Sequence, residues 1–284
     1  TLNANGSIAI TGMTRSGSVA NVTGAALSAF GEVPVDFNLH GAVTATSISD
    51  TVSRVVGVSV GQNNLSTVRL TADGAVTATA IGAGSTATGI NASGSSFAPS
   101  NINTGILTVH ANGDVSATSD GGATGIGLSR GSTRFAALTA GLGGIDLDTK
   151  GTVSATSASA AAIGISGVMV NGADNAATLA LRAEGNVIAS GTAAGSYGIF
   201  AQRDGLGDIR IDALAGVQSS GVGIAASRST PGNIFITTGT SVTGTTGITT
   251  SGGTTTLIAN GIITGTGGTA VQFGGTNDVL QVQR

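Results

Sequence analysis

The side chains able to do chemistry in this sequence are few and scattered. His40 and His110 are the only histidines, and two such distant residues lack the short, fixed ligand intervals of a zinc site. Gly57-Val-Ser-Val-Gly61 and Gly127-Leu-Ser-Arg-Gly131 match the Gly-x-Ser-x-Gly nucleophile elbow. That motif works only where the serine sits on a strand-to-helix turn beside a histidine and an acid. No helical pattern follows either copy, and a chain with 48 glycines produces such matches by chance. Gly143-Gly-Ile-Asp-Leu-Asp148 and Gly274-Gly-Thr-Asn-Asp-Val-Leu280 approximate calcium-binding nonapeptides, but those bind ions as tandem arrays. No metal and no cofactor is expected.

One group of charges offers a further possibility. Asp146, Asp148, Arg182, Arg210 and Asp212 recur at similar places in successive segments. Glycoside hydrolysis requires two carboxylates held a set distance apart, and a sugar cleft commonly adds aromatic faces. With 7 Phe, 1 Tyr and no Trp, the chain is poorly supplied with those faces. Opposite charges in such an arrangement also suit plain ion pairing between neighbouring segments. The expected contacts are Asp36 with Arg69, Asp148 with Arg182, and Arg182 with Asp212.

The elements that position these residues are legible from a repeat. Gly41-Ala-Val-Thr-Ala-Thr-Ser47, Gly74-Ala-Val-Thr-Ala-Thr-Ala80, Gly113-Asp-Val-Ser-Ala-Thr-Ser119 and Gly151-Thr-Val-Ser-Ala-Thr-Ser157 are near copies. Gly185-Asn-Val-Ile-Ala-Ser190 is a fifth, and weaker versions begin at Gly6, Gly216, Gly239 and Gly261. The interval ranges from 39 residues, between Gly74 and Gly113, to 22, between Gly239 and Gly261. A fixed unit with loops of variable length produces that spread.

Each repeat reads as three short strands. The motif comes first, then a Gly-Ile piece such as Gly125-Ile126 or Gly164-Ile165, then an alternating piece such as Leu107-Thr-Val109 or Ile145-Asp-Leu147. Longer repeats are expected to carry an excursion between the second and third strands, from Asn91 to Gly105 and from Ser129 to Gly144. Such a unit cannot bury its apolar face alone, so copies must stack. The sequence predicts an all-β fold. Residues 1–284 form a single parallel β-helix of about eight rungs, right-handed by the crossover rule, and roughly 40 Å long at the strand spacing of a sheet.

Composition agrees with that fold and excludes others. With 40% apolar and 9% charged residues, the chain lacks the signature of disorder. Glycine does not recur every third residue, which excludes collagen. A net charge of −3, without a basic stripe or stacking aromatics, excludes nucleic acid as a partner. The absence of cysteine excludes disulfides and thiolate metal sites. No apolar run is long enough to span a bilayer as a helix.

Stacking turns the repeat into ladders. Alternation along the motif strand points Thr44, Thr77, Ser116 and Ser154 outward in one file and Thr46, Thr79, Thr118 and Thr156 in a second. This double file of hydroxyls is the candidate contact surface. It suits self-association, adhesion to a host or abiotic surface, or, as a minor alternative, ice binding. Ile188 and Gln218 interrupt it in later rungs.

The segment Asn260-Gly-Ile-Ile-Thr-Gly-Thr-Gly-Gly-Thr-Ala-Val-Gln-Phe-Gly-Gly-Thr-Asn-Asp-Val-Leu280 resembles the end of the passenger domain of bacterial autotransporters, the type V secreted proteins. The Gly-x-Val-x-Ala-Thr and Gly-Ile rungs resemble such passengers along the whole chain. The resemblance implies a protein exported through the outer membrane and displayed or released outside the cell. It implies contact with that membrane only through a C-terminal barrel, which this sequence, ending at Arg284, does not contain. Passengers include adhesins, self-associating proteins, proteases and esterases, so the resemblance fixes no activity. The expected function is non-enzymatic adhesion or self-association at the cell surface. A polysaccharide-binding or polysaccharide-cleaving protein is the alternative.

Overall fold

The computed structural model describes the chain apart from residues 15–19, 31–32, 64–66, 96–104, 132–142, 171–175, 193 and 284. Among the described residues every regular element is a β-strand, and every strand pair is parallel. Parallel strands from successive repeats lie side by side in register, consistent with a parallel β-solenoid. The motif strands, such as Val76–Ile81, Val115–Ser119 and Val153–Ser157, form one run of neighbours. The Gly-Ile strands, such as Thr86–Ser95, Ala123–Gly131 and Ala162–Val170, form a second. The alternating pieces, from Leu2–Ala4 through Leu107–Ala111 to Val279–Val282, make a separate sheet of ten strands.

Near the C-terminal end the first two runs fuse. Ser241–Ser251 and Ile262–Gly274 each pass from the motif position to the Gly-Ile position as one strand, and a register irregularity between Gly244 and Thr246 marks the old corner. The two runs therefore count as a single 15-strand path plus this last strand.

Registration is like on like. Val115 pairs with Val76 on one side and Val153 on the other, and Ala117 with Ala78 and Ala155. Ile126 pairs with Ile90 and Ile165. These side chains are almost wholly buried and belong to two apolar clusters that run along the stack. β-Branched side chains stacked about 4.8 Å apart fill a narrow interior without aromatic bulk.

Glycine sets how closely two runs approach. Gly24, Gly57, Gly89, Gly125, Gly164, Gly198 and Gly223 stand in file, and a Cβ on any of them would meet the next glycine's carbonyl oxygen at 2.5–2.6 Å. A Cγ1 methyl of the motif strand crowds the same point; for Gly125 it is that of Val153, at 2.6 Å. Real Cβ atoms essentially never come within 3.0 Å of a neighbour, so only glycine permits this packing. The Gly-Ile dipeptide is thus a packing requirement.

The Gly-Ile strands are longer than the sequence suggests. Thr86–Ser95 runs through Asn91, and Ala123–Gly131 runs through Ser129, because alternation between inward and outward residues continues beyond the isoleucine. Both expected excursions therefore begin later than predicted, and their middle parts, 96–104 and 132–142, lie outside the described residues.

Candidate functional site

The motif strands bring the hydroxyl residues into register. Thr44, Thr77, Ser116 and Ser154 pair in sequence across four strands, and Thr46, Thr79, Thr118 and Thr156 pair beside them. All eight face outward, Thr118 and Thr156 exposed and the others half-buried. Ser116 Oγ donates to Thr77 Oγ1 at 3.3 Å, so part of the ladder's hydrogen bonding is internal. Ile188 and Gln218 continue the first file beyond Ser154, which limits the all-hydroxyl stretch to those four strands.

The third strands carry the charged face in two columns. Asp36, Arg69, Thr108, Asp146, Ala180, Arg210 and Phe235 register in one; Asn38, Thr71, His110, Asp148, Arg182, Asp212 and Thr237 in the other. The neighbours foreseen from sequence are therefore adjacent: Asp36 with Arg69, and Asp148 with Arg182 and then Asp212. Their ion pairing does not follow. Among the described residues the ion pairs are Arg182 with Glu184, at 2.7 Å, and His40 with Asp73, at 2.6 Å. Arg182 extends along its own strand to a carboxylate two positions on, a separation that suits its long arm. Arg210 leans over the ring of Phe235, 5.5 Å from its centroid, a cation–π contact.

Most acids are committed to the scaffold. Asp114 Oδ1 accepts from Thr152 N, Asp120 Oδ2 from Gly82 N and Asp278 Oδ1 from Thr255 N, each at 2.7 Å. Asp208 Oδ1 accepts from Asn233 N at 3.1 Å and Asp204 from the Ser229 hydroxyl. These bonds join neighbouring repeats at their corners, where ladder bonding lapses. Asp73 and Glu184 pair with His40 and Arg182; of the remaining described acids, Asp36, Asp146, Asp148 and Asp212 lie on the third-strand face and Asp50 lies outside it, after the motif strand Val43–Ser49. Asp148 Oδ1 is buried without a hydrogen-bond partner. Beside this group lies a groove of about 860 Å³ whose lining includes Arg69, Thr108, His110, Asp146 and Thr178.

The other sequence candidates are separate from this groove. Ser59 and Ser129, at the centres of the two Gly-x-Ser-x-Gly matches, sit within strands Ser53–Asn63 and Ala123–Gly131, so neither is on an elbow. His110 lies in the strand Leu107–Ala111 and His40 just beyond the end of Val35–Leu39, two repeats away, and among the described residues no group of three His, Asp or Glu converges.

Sequence reasoning missed the buried arginines. Arg130, Arg203 and Arg228 are 2%, 0% and 6% exposed, all at the C-terminal ends of Gly-Ile strands. Arg130 Nη1 donates to Gly144 O at 2.9 Å and Arg203 Nε to Gly207 O at 2.8 Å. Arg228 donates to the carbonyls of Gly205, Gly207, Thr230, Pro231 and Asn233. Burial lowers the pKa of Arg130 and of Arg203 to about 10, and the nearby Arg228 charge adds to the shift at Arg203. These guanidiniums fasten the corner loops by satisfying carbonyls that no strand reaches. A usable signal was present: Arg130 and Arg203 fall at inward-phase positions of their strands.

Compared with known proteins, this chain matches no family model, no curated protein and no solved structure.

Proposed function

We propose that the chain is a bacterial surface or secreted protein of autotransporter passenger type that works by adhesion or self-association, without catalysis. Its fold in this reading is a right-handed parallel β-helix of about eight rungs. The observation that carries the reading is the registered hydroxyl ladder of Thr44 to Thr156. Eight outward hydroxyl residues at regular spacing form a polar strip, and many weak contacts along such a strip add up between rods. The test is display of residues 1–284 on a non-adherent bacterium, with and without Thr79, Thr118 and Thr156 changed to lysine. Clumping or surface attachment that the lysines abolish, with display intact, supports the reading. A confirmed display that neither clumps nor sticks overturns it.

A second reading has its own observation. The groove beside Arg69, His110 and Asp146 combines volume with groups that suit hydroxylated or acidic sugars. Binding of a polysaccharide panel, lost on Asp146→Asn and Arg69→Ala, would favour it; ladder-dependent clumping without such binding would not.

A further inference from the structure

The Gly-Ile strands carry an outer face that neither the hydroxyl strip nor the charged groove includes. In the strand Tyr197–Asp204, Gly198 and Ile199 take two successive buried places, so Tyr197 and Phe200 emerge on the same outer side. Both are half-buried. Their ring centroids lie 5.1 Å apart at an interplanar angle of 44°, the one contact between aromatic rings among the described residues. Register sets Ile163 and Val222 on either side of Tyr197, and Ser166 and Ala225 on either side of Phe200. The rings thus form an apolar platform on the outside of the stack. Beyond Ser166 the column of Phe200 passes through Gly127 to Asn91. The missing side chain at Gly127 leaves a hollow of about 190 Å³ whose lining includes Thr88, Asn91, Thr124, Ser129 and Ser166.

The chemistry of this face selects its occupant. From Thr86–Ser95 through Val222–Arg228 the one outward charge on these strands is Asp204, at a strand end and already bonded to the Ser229 hydroxyl. An acidic ligand finds no counter-charge here. A second copy of the chain is too large: the platform spans about three strands at 4.8 Å and five residues along them, on the order of 200 Å². A stable protein interface needs about 800 Å² per partner. An aromatic face carries negative charge density, which the axial C–H groups of a pyranose complement. Hydroxyls and amides beside the rings, such as Ser166, Gln202 and Asn91, suit the hydroxyls of the same sugar. We propose that this face is a binding subsite for a neutral, pyranose-based glycan. One ring stacks on Tyr197 and Phe200, and the chain continues along the rod over Ser166 into the hollow at Gly127.

Tyr197 is the only tyrosine of a chain without tryptophan, so the intrinsic fluorescence of the full 284-residue chain reports this site. Titration with neutral hexasaccharides of glucose, mannose, galactose and xylose should give a saturable change with at least one of them, and hexagalacturonate none. Phe200→Ala should weaken that binding on the order of tenfold, the size of one aromatic contact. A second variant leaves the rings intact. Gly127→Thr fills the hollow, where a Cβ has no neighbour closer than 3.6 Å, and it should weaken the same sugar without shifting the denaturation midpoint far. The proposal is overturned if no neutral probe moves the fluorescence, if both variants bind as the native chain does, or if hexagalacturonate binds equally well. A change that follows protein concentration without sugar gives the face to a second copy and overturns it too. Asp146→Asn and the lysine variants of the hydroxyl strip should leave the titration unchanged, so failure of either earlier reading is told apart from failure here.

Discussion

His40 Nδ1 lies 2.6 Å from Asp73 Oδ2, one strand further along the stack. Asn112 Nδ2, one strand beyond, donates to Asp73 Oδ1 at 2.7 Å. The bond from Asn112 and that from His40 hold the Asp73 carboxyl below the usual aspartate range. A depressed folded pKa means the pair's contribution is complete above the unfolded value and is lost as pH falls through the folded one. Carboxyl titration by NMR should therefore find Asp73 titrating below an ordinary aspartate, and Asn112→Ala should raise it. Both partners are exposed, so Asp73→Asn should change stability by only about 0–1 kcal/mol.

Two neighbouring glycines should behave differently. A Cβ on Gly125 would meet Gly164 O at 2.5 Å and Val153 Cγ1 at 2.6 Å, whereas on Gly127 its nearest contact would be Thr124 Cγ2 at 3.6 Å. Gly125→Ala should lower stability by about 1–3 kcal/mol or more, as overpacking does. Gly127→Ala should remain within about 1 kcal/mol of the native chain. Urea denaturation of the pair checks the contrast.

Arg228 should resist conservative replacement. Its guanidinium reaches five backbone carbonyls around one corner, a pattern that an ammonium point charge cannot reproduce. Arg228→Lys should therefore cost on the order of 2 kcal/mol, with Arg228→Met costing more because it leaves several buried acceptors unpaired. Denaturation midpoints and amide exchange at residues 229–233 would show it.

On the ladder, stability and contact should separate. Thr118 and Thr156 are exposed, so changing each to lysine should alter unfolding free energy by no more than about 0.5 kcal/mol. Cell clumping should nevertheless fall. Clumping that survives, with both variants displayed, would move the contact surface away from this strip.

Much of this architecture was legible because the chain repeats its own solution. The motif at Gly41, Gly74, Gly113 and Gly151 specified which residues register, and strand alternation gave their facing. What escaped was set by geometry that sequence spacing does not carry. Adjacent columns identified Asp148 and Arg182 as neighbours, yet the side chain's reach led Arg182 to Glu184. Strand alternation continues past Ile90 and Ile126 to Ser95 and Gly131, through residues whose polar and glycine-rich composition reads as loop. Arginine is normally assigned to solvent, although strand phase places Arg203 and Arg228 inward; the corner carbonyls that receive them are not legible in the sequence.

A chain made of near copies has a problem of address. Val115 fits Val76 or Val153 equally well, and a slip by one whole repeat would leave most inner files chemically unchanged. The inner file through Gln62, Gly94, Arg130, Met169 and Arg203 is different, because over these five strands each neighbour differs from the last, before the file ends on the like pair Arg203 and Arg228. At Gly94 the lack of a side chain makes room for Arg130, whose Cγ would lie 3.3 Å from a Cβ there. Moving that arginine against any other partner removes the space. In a stack that is otherwise degenerate, these few unlike residues tell each repeat which neighbour is its own.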